Sequence, residues 1–205
     1  MSVNIKYKNN SIAALTDTGT KTLKTAGKYC ESDIVVENTK DVGGATEPYI
    51  EETYDRSGKL TAAVMHGHLA VRDSAFKGCS ALASVTIPDS VTSIGSNAFS
   101  RCAGLTSMAI PSSVMIIGTE AFYYCTGLTS VTIPSSVVNI RYSAFEGCGR
   151  LTSVTFNGTP SLIGSSAFGN CSNLTTINVP WAEGAVSGAP WGATNATINY
   201  DYTGA

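Results

Sequence analysis

The chain has 205 residues, which is long enough to bury a sizeable core. Its formal net charge is −2 and only 14% of its residues are charged, so it lacks the basic stripe of a nucleic-acid-binding domain. No apolar run approaches the ~20 residues of a membrane-spanning helix. We therefore expect no nucleic-acid partner and no insertion into a membrane.

Residues 1–40 predict a small β module, because short alternating segments such as 3–7 and 33–37 are separated by glycines. Residues 41–48 are typical of a linker. The amino terminus lacks the apolar stretch of a signal peptide. We expect either a route without such a leader or a leader that this sequence does not include.

Two apolar segments, 49–54 and 60–65, flank the turn-forming residues 55–59 and predict a β-hairpin. Repeat arrays need caps, because their ends would otherwise expose core and strand edges. We expect residues 49–71 to form the amino-terminal cap of the array that follows.

The main feature of the sequence is a pattern that recurs five times with a strict 23-residue period. It consists of an Ala-Phe pair and a cysteine shortly after it: Ala75-Phe76 and Cys79, Ala98-Phe99 and Cys102, Ala121-Phe122 and Cys125, Ala144-Phe145 and Cys148, and Ala167-Phe168 and Cys171. A fixed period in this range is typical of a solenoid, in which each unit buries its apolar face only against its neighbours.

Each unit, counted from its first leucine, opens on a strand pattern. The apolar strand positions are Leu82-Val85-Ile87, Leu105-Met108-Ile110, Leu128-Val131-Ile133, Leu151-Val154-Phe156 and Leu174-Ile177-Val179. Most strands end at a proline, which cannot donate to a β ladder. A second apolar pair follows, as at Val91 and Ile94, and the Ala-Phe segment predicts one helical or 3₁₀ turn.

Together these patterns predict one right-handed solenoid over residues 49–205, with a single parallel sheet built from the five strands. The period breaks at Trp181, and we expect residues 180–205 to form a β-rich carboxyl-terminal cap in which Trp191 closes the core. The cysteines share one column, where parallel side chains suit a disulfide poorly. We expect all five to be reduced and buried, while the role of Cys30 stays open.

The repeat resembles the BspA-like class of bacterial leucine-rich repeats. The resemblance rests on Leu-x-x-Val-x-Ile-Pro-x-x-Val-x-x-Ile followed by Ala-Phe-x-x-Cys, and it extends over about residues 60–179. It implies adhesion or host interaction at a cell surface and does not name a ligand. In the fourth unit, Asn157 replaces proline and Pro160 replaces valine, which predicts a local change in that turn.

The two ends carry a second resemblance, to tail-associated proteins of phages and prophages of gut Firmicutes. It rests on residues 5–12 with 22–29 at one end and 189–198 at the other. It implies, as an alternative, a structural or receptor-binding component of a virion tail.

The sequence offers little for catalysis. The only histidines are His66 and His68, and no nucleophile elbow, phosphate-binding loop or zinc-binding helix motif occurs. We expect no enzyme activity, no cofactor and no dedicated metal site.

Two surfaces are candidates for binding a protein or a glycan. The first combines tyrosines and arginines, the types enriched in binding hot spots, and is called here the Tyr–Arg patch: Arg101, Tyr123, Tyr124, Arg141 and Tyr142. The second is a ladder of small outward residues along the strands, called here the hydroxyl ladder: Ser84, Thr86, Ser107, Ser130, Thr132, Ser153 and Thr155. The tyrosines could instead pack across repeat ridges, and the hydroxyls could simply favour strand formation.

The sequence thus predicts a non-catalytic recognition or adhesion module that binds a protein or glycan outside the cell or at its surface. Its oligomeric state is not indicated by any pattern.

Overall fold

The computed structural model describes residues 4–6, 12–14, 22–25, 49–55 and 57–204. Within these residues the chain forms strands and turns, without a helix. The regular part is a solenoid of short parallel strands, which confirms the architecture expected from the 23-residue period.

The amino-terminal part contributes antiparallel strands. Strands β1 (Asn4–Lys6) and β2 (Ile12–Ala14) pair with each other. Strand β3 (Thr22–Thr25) pairs with β4 (Tyr49–Tyr54), and β4 pairs with β5 (Leu60–His66), so the hairpin expected in the cap is present. Strand β5 also pairs in parallel with the first solenoid strand, and β4 covers the other edge of β5.

Two parts of the sequence prediction lie outside the described residues: the strand expected at 33–37 and the linker at 41–48. The division of the chain into a β module, a linker and a capped solenoid stays a prediction.

The first solenoid face is formed by the strands expected from the alternating pattern. They are β7 (Ser84–Thr86), β10 (Ser130–Ile133), β12 (Ser153–Phe156) and β14 (Thr176–Asn178). Strands β10, β12 and β14 pair in parallel at intervals of one full repeat, and their inward side chains, such as Val154 and Ile177, are buried.

The expectation of one continuous sheet was wrong at the second unit. Residues 105–110 form no strand, so β7 belongs to the cap sheet and β10 begins another. Here Met108 and Ala109 replace the Val and Thr that the third and fourth units carry. Because β-branched residues favour strands, this unit has the weakest strand propensity at the outward and inward positions.

A second parallel sheet, which the sequence did not predict as strands, forms at the second apolar pair of each unit. Its five strands are β6 (Ala70–Val71), β8 (Ser93–Ile94), β9 (Ile116–Ile117), β11 (Asn139–Ile140) and β13 (Leu162–Ile163). Each pairs with the equivalent strand of the adjacent coil. The buried second residue of each strand faces the core.

The Ala-Phe segments form successive hydrogen-bonded turns, so the expected helical or 3₁₀ turn was wrong. Two positions in each segment have positive φ, for example Ser74 at 57° and Gly78 at 79°, and these interrupt any right-handed helical run. Alternate amides bond within the turn and to the next coil: Cys79 N donates to Phe76 O, while Phe76 N donates to Ala98 O.

The core holds two stacked columns. Phe76, Phe99, Phe122, Phe145 and Phe168 are fully buried, and their successive ring centroids lie 5.2, 5.2, 5.0 and 5.6 Å apart. In the cysteine column, each thiol of the later units donates to a phenylalanine carbonyl of the preceding coil at 3.0–3.2 Å: Cys102, Cys125, Cys148 and Cys171.

These four cysteines are free and buried, as expected. Cys79 is also buried, but the expectation of a reduced thiol was wrong there, because Cys79 is disulfide-bonded. Cys79 is the first of its column and lies next to the cap, whereas the geometric argument against disulfides applied only to bonds within the column.

The carboxyl-terminal residues form a further, irregular coil. Trp191 is buried at the next position of the phenylalanine column, one full repeat after Phe168, and its backbone carbonyl accepts from Phe168 N. Strand β15 (Thr197–Asn199) pairs in parallel with β14, and Thr197 lies opposite Thr176, which is slightly less than a full repeat away. Trp191 therefore closes the core, as predicted.

Candidate functional site

One position of the turn segment has a left-handed backbone in five successive coils and is exposed in four of them, and we call it the αL column. Its residues are Gly78, Arg101, Tyr124, Gly147 and Asn170, with φ of 79°, 63°, 55°, 74° and 54°. Glycine and asparagine tolerate this region, whereas arginine and tyrosine are strained there. Two members of the Tyr–Arg patch thus occupy unfavourable backbone positions in adjacent units.

The ring of Tyr124 lies against the backbone of the next coil. A Cβ built on Gly147 would lie 2.6–2.9 Å from three of its ring atoms, so only glycine leaves room for this ring position. The ring of Tyr123 contacts that of Tyr124, with centroids 4.6 Å apart and planes tilted by 60°. Tyr124 nevertheless stays 44% exposed and can contact a partner.

Charged groups surround the tyrosine pair. The pKa of the Tyr123 phenol is raised by partial desolvation and then by the nearby Tyr124 and Glu146. Glu120 raises it further, while Arg101 lowers it, so both signs of charge lie near this phenol. The backbone also joins the units here, because Arg101 N donates to Tyr123 O at 2.7 Å.

Glu146 is held in place by two side chains. Its Oε2 accepts from Ser143 Oγ, and its Oε1 accepts from Asn170 Nδ2 at 3.0 Å. Its backbone carbonyl accepts from Tyr124 N at 2.8 Å. This carboxylate is therefore already bonded on both oxygens, whereas the arginines Arg101 and Arg141 are exposed.

The other two members of the Tyr–Arg patch lie at the start of the same turn in the third unit. Arg141 is exposed and Tyr142 is 52% exposed. The backbone carbonyl of Tyr142 accepts from Glu120 N in the second unit at 3.0 Å. In the described part of the chain, no ring contact joins Tyr142 to Tyr123 or Tyr124, so the patch consists of a contacting pair and a neighbouring corner.

The hydroxyl ladder is partly exposed but interrupted. Ser130 and Thr132 are exposed, whereas Ser153 and Thr155 are half-buried, and the missing strand at 105–110 separates them all from Ser84 and Thr86. Near its far end, polar side chains bond each other along the sheet, since Asn178 Nδ2 donates to Thr155 Oγ1 at 3.3 Å. The hydroxyl ladder therefore does not form one continuous surface for a ligand.

Among the described residues, no group of three or more His, Cys, Asp or Glu side chains is placed to hold a metal ion. In the same residues, no helix has the length and apolar character needed to cross a bilayer.

The family assignment follows from the repeat. The model of the BspA-type leucine-rich repeat region matches residues 69–184 in six copies. The chain therefore belongs to the BspA-type leucine-rich repeat family, as the resemblance indicated.

Solved structures of bacterial leucine-rich repeat proteins share this fold. A leucine-rich repeat protein from Bacteroides ovatus is 32% identical, with a TM-score of 0.52 over 60% of this chain and 32% of its own. A leucine-rich cell surface protein from Faecalibacterium prausnitzii is 29% identical, with a TM-score of 0.55 over 69% and 38%. A leucine-rich repeat protein from T. pallidum is 26% identical, with a TM-score of 0.50 over 62% and 67%.

The chain thus spans about a third of the length of the Bacteroides and Faecalibacterium proteins. No curated protein is significantly similar to it. None of these matches bears on the resemblance of the two ends to phage tail proteins, which stays a prediction.

Sequence reasoning missed several residues around the candidate site. Glu120, Glu146 and Gly147 surround the tyrosine pair, and the left-handed conformation of Arg101 and Tyr124 was not recognised. A signal was present, because the same repeat position carries Gly78, Gly147 and Asn170, residue types that favour positive φ.

Proposed function

We propose that this chain is a non-catalytic module that recognises a protein partner through the Tyr–Arg patch. The observation that carries the proposal is the strained backbone of Arg101 and Tyr124, in a column where other units have residues that tolerate it. Strain of this kind costs about 1–3 kcal/mol per residue and clusters at functional sites. A binding role at the surface explains why arginine and tyrosine occupy these two strained positions.

The chemistry of the patch supports a protein partner. Tyrosine and arginine are enriched among residues that dominate binding energy, and Tyr124 and Tyr142 expose large amphipathic rings on a rigid scaffold. Rigid rings give contact area at low conformational entropy. The proposed location is outside the cell or at its surface, in agreement with the description of the Faecalibacterium neighbour as a cell surface protein.

The test replaces the tyrosine pair with residues that other units carry at the same positions. Ser100 aligns with Tyr123, and Asn170 aligns with Tyr124, so the Tyr123→Ser/Tyr124→Asn variant should keep the fold. Wild type and variant are applied to an array of purified extracellular proteins and, in parallel, to a glycan array. We expect the wild type to bind at least one protein and the variant to bind it at least about tenfold more weakly.

The matched control is Ser130→Ala/Thr132→Ala, which alters the exposed hydroxyl ladder and leaves the turn side unchanged. It should bind like the wild type. A loss of binding in this control alone would move the site to the strand face. Binding only to glycans would contradict the proposed class of partner.

A further inference from the structure

A second exposed surface is made of aliphatic side chains. Met115, Val138 and Leu162 are 47%, 42% and 46% exposed, respectively, and lie on the second sheet or beside its strands. We call them the aliphatic patch. Large exposed hydrophobic residues that gather in one place mark interaction surfaces more often than scattered ones do.

The three residues are in adjacent coils. Val138 N donates to Met115 O at 2.8 Å, and Leu162 N donates to Val138 O at 3.3 Å. Their backbones are therefore neighbours across the sheet, in the second, third and fourth units. The repeat pattern does not indicate this patch, because only the inward members of the second apolar pair recur in it.

The aliphatic patch is too small to hold a partner by itself. Three side chains at less than half exposure offer on the order of 200 Å² of apolar surface. A stable protein interface buries about 800 Å² on each partner. A second copy of this chain would need the same area, so the patch must belong to a larger contact surface.

The Tyr–Arg patch and the aliphatic patch share a coil. Val138 and Tyr142 are four residues apart in one coil, so their Cα atoms are at most about 14 Å apart. Strand β11 lies between them, and Tyr142 is bonded through its carbonyl to Glu120 of the second unit, which also contains Met115. Val138 and Tyr142 therefore lie on either side of strand β11, so the two patches are neighbours along this coil.

We propose that the aliphatic patch and the Tyr–Arg patch form one continuous surface that binds an extended protein segment carrying apolar side chains beside carboxylates. This inference rests on the proposed function and specifies its partner. The apolar part of the segment covers Met115, Val138 and Leu162. Its carboxylates meet the exposed Arg101 and Arg141, while the carboxylate of Glu146 already bonds to Ser143 and Asn170.

The aliphatic patch also favours a protein over a glycan. Valine and leucine side chains have no hydrogen-bonding group, and the methionine sulfur is only a weak acceptor. Sugar hydroxyls that covered these side chains would lose their bonds to water without replacement. Apolar side chains of a protein segment have no hydrogen bonds to water to lose.

The test uses three proteins and one probe, a random-peptide library displayed on yeast. The first protein is the wild type, and the second is the Tyr123→Ser/Tyr124→Asn variant. The third is Met115→Thr/Val138→Ser/Leu162→Asn, which installs the residues that Thr92, Ser161 and Asn139 supply at the same repeat positions. A single cooperative thermal unfolding transition checks that both variants are folded.

Peptides selected on the wild type should be enriched in apolar residues next to Asp or Glu. They should bind each variant about tenfold or more weakly. Peptides that need the tyrosines but tolerate the aliphatic variant would overturn this inference and leave the proposed function standing. Peptides that tolerate the tyrosine variant, or no enrichment at all, would overturn both.

Two further outcomes assign the aliphatic patch to another occupant. Dimerisation of the wild type in sedimentation velocity that the aliphatic variant abolishes would identify a second copy and overturn the inference. Glycan binding that both variants lose would identify a sugar and overturn it as well.

Discussion

Two columns of this molecule occupy the same turn segments and follow opposite rules. The phenylalanine column in the core repeats one residue type five times and ends in Trp191. The αL column on the surface, two residues after each phenylalanine, carries Gly78, Arg101, Tyr124, Gly147 and Asn170 over the same coils. Turn segments with the same positions of positive φ thus have a uniform interior and a varied exterior. The buried residues determine the conformation of the coil, and the surface residues can vary.

The hydrogen bonds explain how the surface column tolerates unfavourable residues. Phe99 N donates to Ala121 O and Arg101 N donates to Tyr123 O, both at 2.7 Å, so alternate amides tie each turn to the next coil. Cys102 N closes the turn on Phe99 O at 3.1 Å. The coil is over-determined by these bonds and by the stacked rings, and it keeps a positive φ whichever side chain stands there.

The largest expected effect tests the interior column. Replacement of Phe122 by alanine should lower the free energy of unfolding by about 3–5 kcal/mol, because the ring is fully buried between Phe99 and Phe145 at centroid distances of 5.2 and 5.0 Å. Urea unfolding followed by circular dichroism measures this loss.

The comparison variant is Phe168→Ala, at the last phenylalanine of the column. Phe168 has one stacked neighbour, Phe145 at 5.6 Å, and a perpendicular one, Phe156 at 6.3 Å. Its replacement should cost less than that of Phe122. An equal or greater loss at unchanged denaturant slope would show that the cap packs the column as tightly as a regular unit does.

Much of this interior followed from the sequence, because buried positions repeat the same residue type. Phe122, the four free cysteines and the closing role of Trp191 were all predicted from their positions in the period. These features depend on packing, which selects for size and polarity and so leaves a signature in the sequence.

The rest depends on forces that leave weaker signatures. Strands of two residues, such as Ile116–Ile117, are too short to show an alternating pattern. The break at residues 105–110 arises from two substitutions in one unit, and the disulfide of Cys79 does not involve the other cysteines of its column. The candidate site was found from residue types, whereas its backbone strain and its aliphatic neighbours required the structure.

The second prediction concerns two free thiols of the cysteine column, Cys102 and Cys125. Burial raises the pKa of the Cys102 thiol from 9.0 to about 12, and burial also raises that of Cys125. A thiol with a raised folded-state pKa contributes its full stability below the unfolded pKa near 9 and loses it as the pH rises through the folded value. Stability should therefore fall between about pH 9 and pH 12, by about 1.4 kcal/mol per pH unit for each of these two thiols.

The control for this prediction is Cys102→Ala, which removes one titrating group. Urea unfolding at pH 8 and at pH 10 should show a smaller loss for the variant than for the wild type. Equal losses in both proteins would mean that tyrosine and lysine titration, and not the buried thiol, governs stability in alkali.

The smallest expected effect decides whether the surface column is free to vary or is maintained for binding. Tyr124→Asn should raise the free energy of unfolding by about 1 kcal/mol, because asparagine relieves part of the αL strain of roughly 1–2 kcal/mol. Asn170 shows that asparagine fits this position. Tyr142→Asn is the control: Tyr142 is similarly exposed but does not have a positive φ, so this change should not stabilise the fold. Thermal unfolding measures the stability of both variants. If Tyr124→Asn is more stable and also binds the proposed protein partner more weakly, Tyr124 is retained for binding at a cost in stability, as expected of a binding residue. If it is less stable, the packing of the ring on Gly147 outweighs the strain, and Tyr124 belongs with the core columns as a residue that holds adjacent coils together.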